Sequence, residues 1–161
     1  MKKSRGFTLI ELLITLGIIG VLSSIIMGSV NSARAKGRDS QRKQAMISLR
    51  TALELYFITN NTYPITGASV WYSSEPGDNP IASNNGGNWI PGLAPTYIGT
   101  LPRDPKGDAS SHSSCISGAW KMAFLYRSDN GTSYKLLSHC APETTWDSTS
   151  LFYDSVRPTW A

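Results

Sequence analysis

From Phe7 to Val30 nearly every position is apolar, and from Met46 onward the apolar positions thin into a stripe with helical spacing. The first run holds 24 residues with one charge, Glu11. As a helix it would be about 36 Å long, enough to cross a hydrocarbon layer of about 30 Å. That predicts a membrane anchor. An ordinary secretory signal would share the basic residues in front, Lys2, Lys3 and Arg5. Its apolar core is usually only about 7–15 residues long, which the run here exceeds. After the polar stretch 31–43, Met46, Leu49, Leu53, Tyr56 and Phe57 recur at steps of three and four, placing them on one helix face. Asn60-Asn61-Thr62-Tyr63-Pro64 ends the pattern, because the residue before a proline is pushed out of the helical region. Between Val30 and Gln44 only Gly37 opposes continuity, so one helix is predicted over about Phe7–Asn60, apolar all round first and amphipathic afterwards.

Thr66–Thr100 is rich in Gly, Asn, Pro and Ser, and a connection of that length needs packing of its own. Trp71, Trp89, Leu93 and Tyr97 are the candidates for it. A turn cluster, Leu101-Pro102-Arg103-Asp104-Pro105-Lys106-Gly107-Asp108, follows. From Trp120 the period changes to two, with Trp120, Met122, Phe124 and Tyr126 on one side and Lys121, Ala123, Leu125 and Arg127 on the other. Ser128-Asp129-Asn130-Gly131 predicts a hairpin turn, Ser133–His139 its return strand, and Leu151–Val156 a third strand. The fold class is therefore α+β: a long N-terminal helix whose amphipathic half covers a small antiparallel sheet.

Charge changes the picture by its distribution. The formal net charge is +4, yet residues 1–50 carry nine basic and two acidic side chains, whereas 51–161 carry six basic and nine acidic. The head is thus mildly acidic. DNA binding is not expected as its main role, since nonspecific affinity rests on neutralising phosphates.

Lys2 to Leu13, KKSRGFTLIELL, resembles the cleavage and methylation signal of type IV pilins and type II secretion pseudopilins. A short basic leader ends in Gly6 and precedes Phe7-Thr8-Leu9-Ile10-Glu11 and an uncharged apolar stretch. The resemblance implies cutting by a prepilin peptidase after Gly6 and N-methylation of Phe7. It divides the chain into a leader (1–6), a transmembrane and filament-core helix (7–30), and an amphipathic half-helix with a globular pilin head (31–161). Arg38–Lys43, Asn61-Thr62-Tyr63-Pro64 and Leu101-Pro102-Arg103-Asp104-Pro105 resemble further motifs of these proteins. The implied function is a structural prepilin assembled into a type IV pilus-like filament. Alternatives are the major pseudopilin of a type II secretion system and a minor pilin that binds a ligand or DNA. Implied partners are the peptidase, copies of itself and other pilins, an inner-membrane assembly platform, and the bilayer before assembly. The head would lie outside the cytoplasm, on a periplasmic or extracellular fibre. Glu11 has a physical role in this reading. A carboxylate in an apolar span costs at least about 2.5–3.5 kcal/mol and needs a partner. The amine of a neighbouring subunit's Phe7 would be one, and that pairing would fix the axial step. The acidic calcium-binding loop of secretion pseudopilins has no counterpart in Cys140–Trp160, where Glu143, Asp147 and Asp154 are spread out. No cofactor is expected, and calcium is the single candidate the resemblance leaves.

Cys115 and Cys140 fall in the part that would be exported, where a disulfide can form. His112, Cys115, His139 and Cys140 also supply four zinc-ligand types, although adjacent His139 and Cys140 fit one tetrahedron poorly and match no common zinc spacing. The cations Arg34, Lys36, Arg38, Arg42 and Lys43 suit acidic heads of neighbouring subunits, lipid headgroups, nucleic-acid phosphates or plain solvation. They outnumber the three that precede the span, which by the positive-inside count would put the head in the cytoplasm. The more specific leader motif overrules that count. No nucleophile-elbow or phosphate-loop pattern occurs, and an enzyme is not expected.

Overall fold

The computed structural model describes residues 6–76, 82–85, 87–107, 121–140 and 143–144. Helix α1 spans Leu9–Asn60, and four short strands follow: β1 (Trp71–Ser73), β2 (Ala82–Asn85), β3 (Ala123–Arg127) and β4 (Lys135–His139). By its contacts the chain forms two compact units, Met1–Gly37 and Arg38–Ala161.

In the first unit the large apolar side chains among the described residues are exposed. Leu9 is 87% exposed, Leu13 73% and Met27 72%. An 18-residue window of α1 has mean hydropathy 2.4, so by length and composition it can cross a membrane. Burying a Leu or Ile side chain is worth about 1.5–3 kcal/mol. A run of this kind therefore needs lipid or another protein surface around it.

In the second unit the helical stripe is buried as its spacing predicts. Met46, Leu49, Ala52 and Leu53 form the core with Trp89, Ile90 and Leu93 of the long connection, Leu101, and Phe124 and Tyr126 of β3. Tyr56 and Phe57, at the end of the stripe, are half-buried. Tyr56 meets Tyr97 edge-on, and Phe57 stacks on Tyr63. The helix stops at Asn61, which takes the left-handed conformation at φ 57° and returns its N–H to the Phe57 carbonyl at 2.8 Å. Asparagine is one of the few residues that adopts this C-terminal cap at low cost.

The sheet order is β2-β1-β3-β4. β3 and β4 form the expected antiparallel hairpin, paired from Ala123↔His139 to Arg127↔Lys135. β1, which falls in the stretch expected to be a loop, pairs antiparallel with β3 on its other side. β2, which the sequence did not announce, lies parallel to β1. Phe124 and Tyr126 face the helical core, and Ala123 and Leu125 on the other face are buried as well. The hairpin turn requires Gly131. Its φ is 76°, and any Cβ there would overlap the Thr62 hydroxyl. Its carbonyl accepts the Tyr63 N–H at 2.8 Å, tying the turn to the helix stop. The expected third strand at Leu151–Val156 lies outside the described residues.

Leu49→Ala should destabilise the head by about 2–5 kcal/mol, since it opens a cavity at a fully buried site. Ile58→Ala, at a position 78% exposed, should stay within about 0.5 kcal/mol. Denaturant unfolding of the full chain in detergent, followed by tryptophan fluorescence, measures both.

Candidate processing and assembly site

Gly6, Phe7 and Thr8 precede α1 without regular secondary structure, and all three are exposed. The Gly6–Phe7 junction is thus sterically open, and Phe7 is 90% exposed. Thr8 is the N-cap. Its hydroxyl accepts the Glu11 N–H at 3.3 Å, while Glu11 Oε2 accepts the Thr8 N–H and the Thr8 hydroxyl, each at 2.8 Å. This is a reciprocal capping box that satisfies two of the donors a helix start leaves over. The signal was legible as Thr8-x-x-Glu11. Sequence reasoning gave Glu11 an intermolecular role and missed this local one. Glu11 also lies in the first helical turn, where the dipole favours a negative charge. Within the chain, then, the carboxylate has a partner before any second subunit arrives.

The basic run beyond the apolar stretch divides in an unexpected way. Arg42 is fully buried. Its guanidinium makes a two-pronged contact with Asp104, Nε to Oδ2 at 2.7 Å and Nη2 to Oδ1 at 2.9 Å. Its Nη1 reaches Asp39 at 2.7 Å and Glu143 at 3.0 Å. Arg38 holds both oxygens of Glu143, at 2.6 and 2.5 Å, and Lys106 adds a third cation at 3.0 Å. Asp39 accepts the backbone N–H groups of Glu143 (3.0 Å) and Thr144 (2.8 Å), together with the Thr144 hydroxyl. Three cations and three carboxylates therefore close on one another. Arg38 and Arg42 serve the head's own interior, a use outside the four that the sequence offers for the run. The Leu101–Pro105 motif gains its meaning here: Asp104 is the arginine acceptor, and Trp89 Nε1 donates to the Pro102 carbonyl at 3.2 Å. Glu143, weighed earlier as an acidic-loop residue, is surrounded by cations. Asp147 and Asp154 lie outside the described residues, and among the described residues no group of three or more metal-ligating side chains occurs.

The electrostatics follow from this closure. Burial disfavours the Arg42 charge, but Asp104, and then Glu143 and Asp39, more than compensate, so its pKa is raised. Hydrogen bonds from Arg38 hold the Glu143 carboxyl far below its ordinary value of 4.5; burial opposes them, and Lys106 and Arg42 assist. Cys140 is buried beside the His139 ring, its Sγ 3.3 Å from Nδ1. Cys115 and His112 lie outside the described residues.

Two outcomes follow for the ion cluster. Asp104→Ala should cost about 3–5 kcal/mol, because it leaves a buried guanidinium short of its main acceptor. The folded-state pKa of Glu143 is depressed, so its stabilisation is complete above the unfolded value near 4.5 and is lost as pH falls below it. Glu143→Gln should therefore flatten the acid side of the stability–pH profile, which thermal melts between pH 7 and pH 3 would read directly.

Comparison with known proteins agrees with this geometry. Residues 1–27 match the model of the prokaryotic N-terminal methylation motif. Type II secretion system core protein G of Klebsiella pneumoniae is 32% identical over 110 residues, covering 66% of this chain and 72% of that protein. The Escherichia coli K12 protein of the same name is 32% identical over 107 residues, covering 66% and 69%. The type IV major pilin protein PilA of Myxococcus xanthus is 32% identical over 76 residues, covering 47% of this chain and 34% of the pilin. No solved structure is matched. The similarity reaches far beyond the 27-residue motif, over two thirds of the chain, and the chain belongs to the family of type II secretion system core protein G, the pseudopilin relatives of type IV pilins.

Proposed function

We propose that this chain is the structural subunit of a secretion-type pseudopilus, anchored in the inner membrane by residues 7–30 until a membrane platform adds it to the fibre. The observation that carries the reading is the bare apolar helix directly behind an exposed Gly6–Phe7 junction. Such a surface is stable in lipid and stable again when helices of neighbouring copies surround it. The relatives favour the secretion fibre, because the core protein G match covers twice the share of its relative that the pilin match does. A type IV pilus subunit is the second reading, supported by the pilin match itself. In either fibre a prepilin peptidase cuts after Gly6 and methylates Phe7, and the head faces away from the cytoplasm. The test is the mass of the mature N-terminus: N-methyl-Phe7 is expected. A retained leader in cells with active peptidase, or a start beyond Val30, would overturn the reading.

Glu11 is proposed to meet the Phe7 amine of the neighbouring subunit, and the capping box offers a way to separate its two roles. Glu11→Gln keeps an oxygen that can accept from Thr8 and so preserves the cap, but it removes the charge. Glu11→Ala removes both. If the intersubunit pair governs assembly, both variants should lose filament yield, because breaking one side of a buried ion pair costs about 3–5 kcal/mol. Processed subunit should remain in the membrane in each case. Normal sheared filaments from Glu11→Gln would leave the carboxylate with its capping role alone.

A Cys115–Cys140 bridge is proposed for the exported head. It is supported by the finding that among the described residues no cysteine is free. It would enclose 24 intervening residues, for which the chain-entropy model gives roughly 3 kcal/mol. Reduction should lower the melting temperature and change the mass by two hydrogens. Stoichiometric zinc without that mass change would support the metal reading instead.

A further inference from the structure

The ion cluster in the head singles out two cations that it does not use. Arg38 and Arg42 are neutralised by Asp39, Asp104 and Glu143. Arg34 and Lys36, one helical turn earlier, are exposed, and among the described residues no carboxylate pairs with either. No acidic side chain occurs between Leu12 and Gly37 to compensate them.

Their depth is fixed by the helix. Val30 ends the apolar run, and Arg34 and Lys36 lie four and six residues further along a continuous α1. At 1.5 Å per residue they stand about 6 and 9 Å beyond the last apolar residue. A headgroup layer is about 5–7 Å thick on each side of the hydrocarbon. Long basic side chains fold back toward that layer, keeping their stems on apolar surface and their charge among the headgroups. The azimuth adds a second constraint. Two residues apart on a helix means about 200° around the axis, so the two cations point to nearly opposite sides. A protein partner docking on one face would meet one of them, whereas lipid surrounding a single helix meets both.

We propose that Arg34 and Lys36 form a collar that binds the phosphate groups of anionic phospholipids around the anchor while the subunit waits in the membrane. The proposal rests on the anchored-subunit reading and adds a lipid partner to it. Phosphatidylglycerol-type headgroups meet the chemistry, a phosphate oxygen within reach of each cation with no competing carboxylate. Ser29, Asn31 and Ser32, also exposed, supply neutral donors at the same level. Extraction into a fibre would require these contacts to break, so the collar would hold the subunit in place until the platform acts on it.

The test uses the full chain in detergent, titrated with phosphatidylglycerol or phosphatidylcholine and read by native mass spectrometry. The wild type should retain phosphatidylglycerol preferentially, by about fivefold for each cation engaged. Arg34→Gln/Lys36→Gln should lose most of that preference. Arg50→Gln/Lys135→Gln, with the same change in net charge on exposed head positions, should keep it. Equal preference in the collar variant would assign the lipid to Lys2, Lys3 and Arg5 and overturn the proposal. Full competition by inorganic phosphate at equal concentration would make a free anion the ligand and overturn it too. So would unchanged lipid retention with lost filaments, which would assign the two cations to a neighbouring head. Release of the wild-type chain from membranes by carbonate washing would instead sink the anchored-subunit reading, an outcome distinct from the other three.

Discussion

The buried guanidinium of Arg42 is the contact on which the head's arrangement depends. A charge taken from water into a packed interior is stable only where its donors are met by well-placed acceptors. Asp104 meets two of them, and Asp39 and Glu143 share a third. These acceptors come from the helix, from the turn after the long connection, and from the segment after β4. One arginine therefore dictates where three stretches distant in sequence must stop. The apolar core supplies most of the driving force, but it is tolerant of sliding. Fixed N–H directions are not, and the two-pronged Asp104 contact sets the register of the turn against the helix. Asp39, holding the backbone of Glu143 and Thr144, does the same for the chain beyond Cys140.

The same helix carries two incompatible surfaces, and the change falls where the contact pattern also divides, at Gly37 and Arg38. Before it, the described large apolar side chains are exposed. After it, every third or fourth residue is buried against Trp89, Leu93, Phe124 and Tyr126. The first half gains nothing from folding beyond its own backbone hydrogen bonds, so the solvent around it must be apolar. The second half folds in water like any amphipathic helix. The division leaves one part of the helix in need of apolar surroundings and lets the other pack within the head.

Much of this was legible because periodicity reports burial directly. Met46, Leu49 and Leu53 lie on the face their spacing gave, Asn61 and Pro64 end the helix, and the alternation from Met122 to Arg127 forms the strand that packs on it. The hairpin turn was legible in Asn130-Gly131 for a steric reason, namely the positive φ and the nearby Thr62 hydroxyl. What escaped were features without a period. β2 is four residues, Ala-Ser-Asn-Asn, with no hydrophobic alternation to reveal it. The Arg42–Asp104 pair joins residues 62 apart, and nothing in the local sequence distinguishes a buried arginine from a solvated one. The capping box escaped for another reason: its residues were visible, but the carboxylate had already been given a partner in another subunit.

The basic excess of the first 50 residues therefore does not describe a single surface. Three of its nine cations precede Gly6, and two are folded inward against Asp39, Asp104 and Glu143. A sequence pI of 9.2 would suggest a chain that coats polyanions. The structure divides that charge by depth along one helix instead. Arg34 and Lys36 follow the end of the apolar run, and Arg38 and Arg42 build the head. Phosphate-coating proteins need their cations on one continuous face with the acids elsewhere. Here Asp39, Asp104 and Glu143 sit among Arg38 and Arg42 and cancel them, so these two cations cannot contribute to such a face.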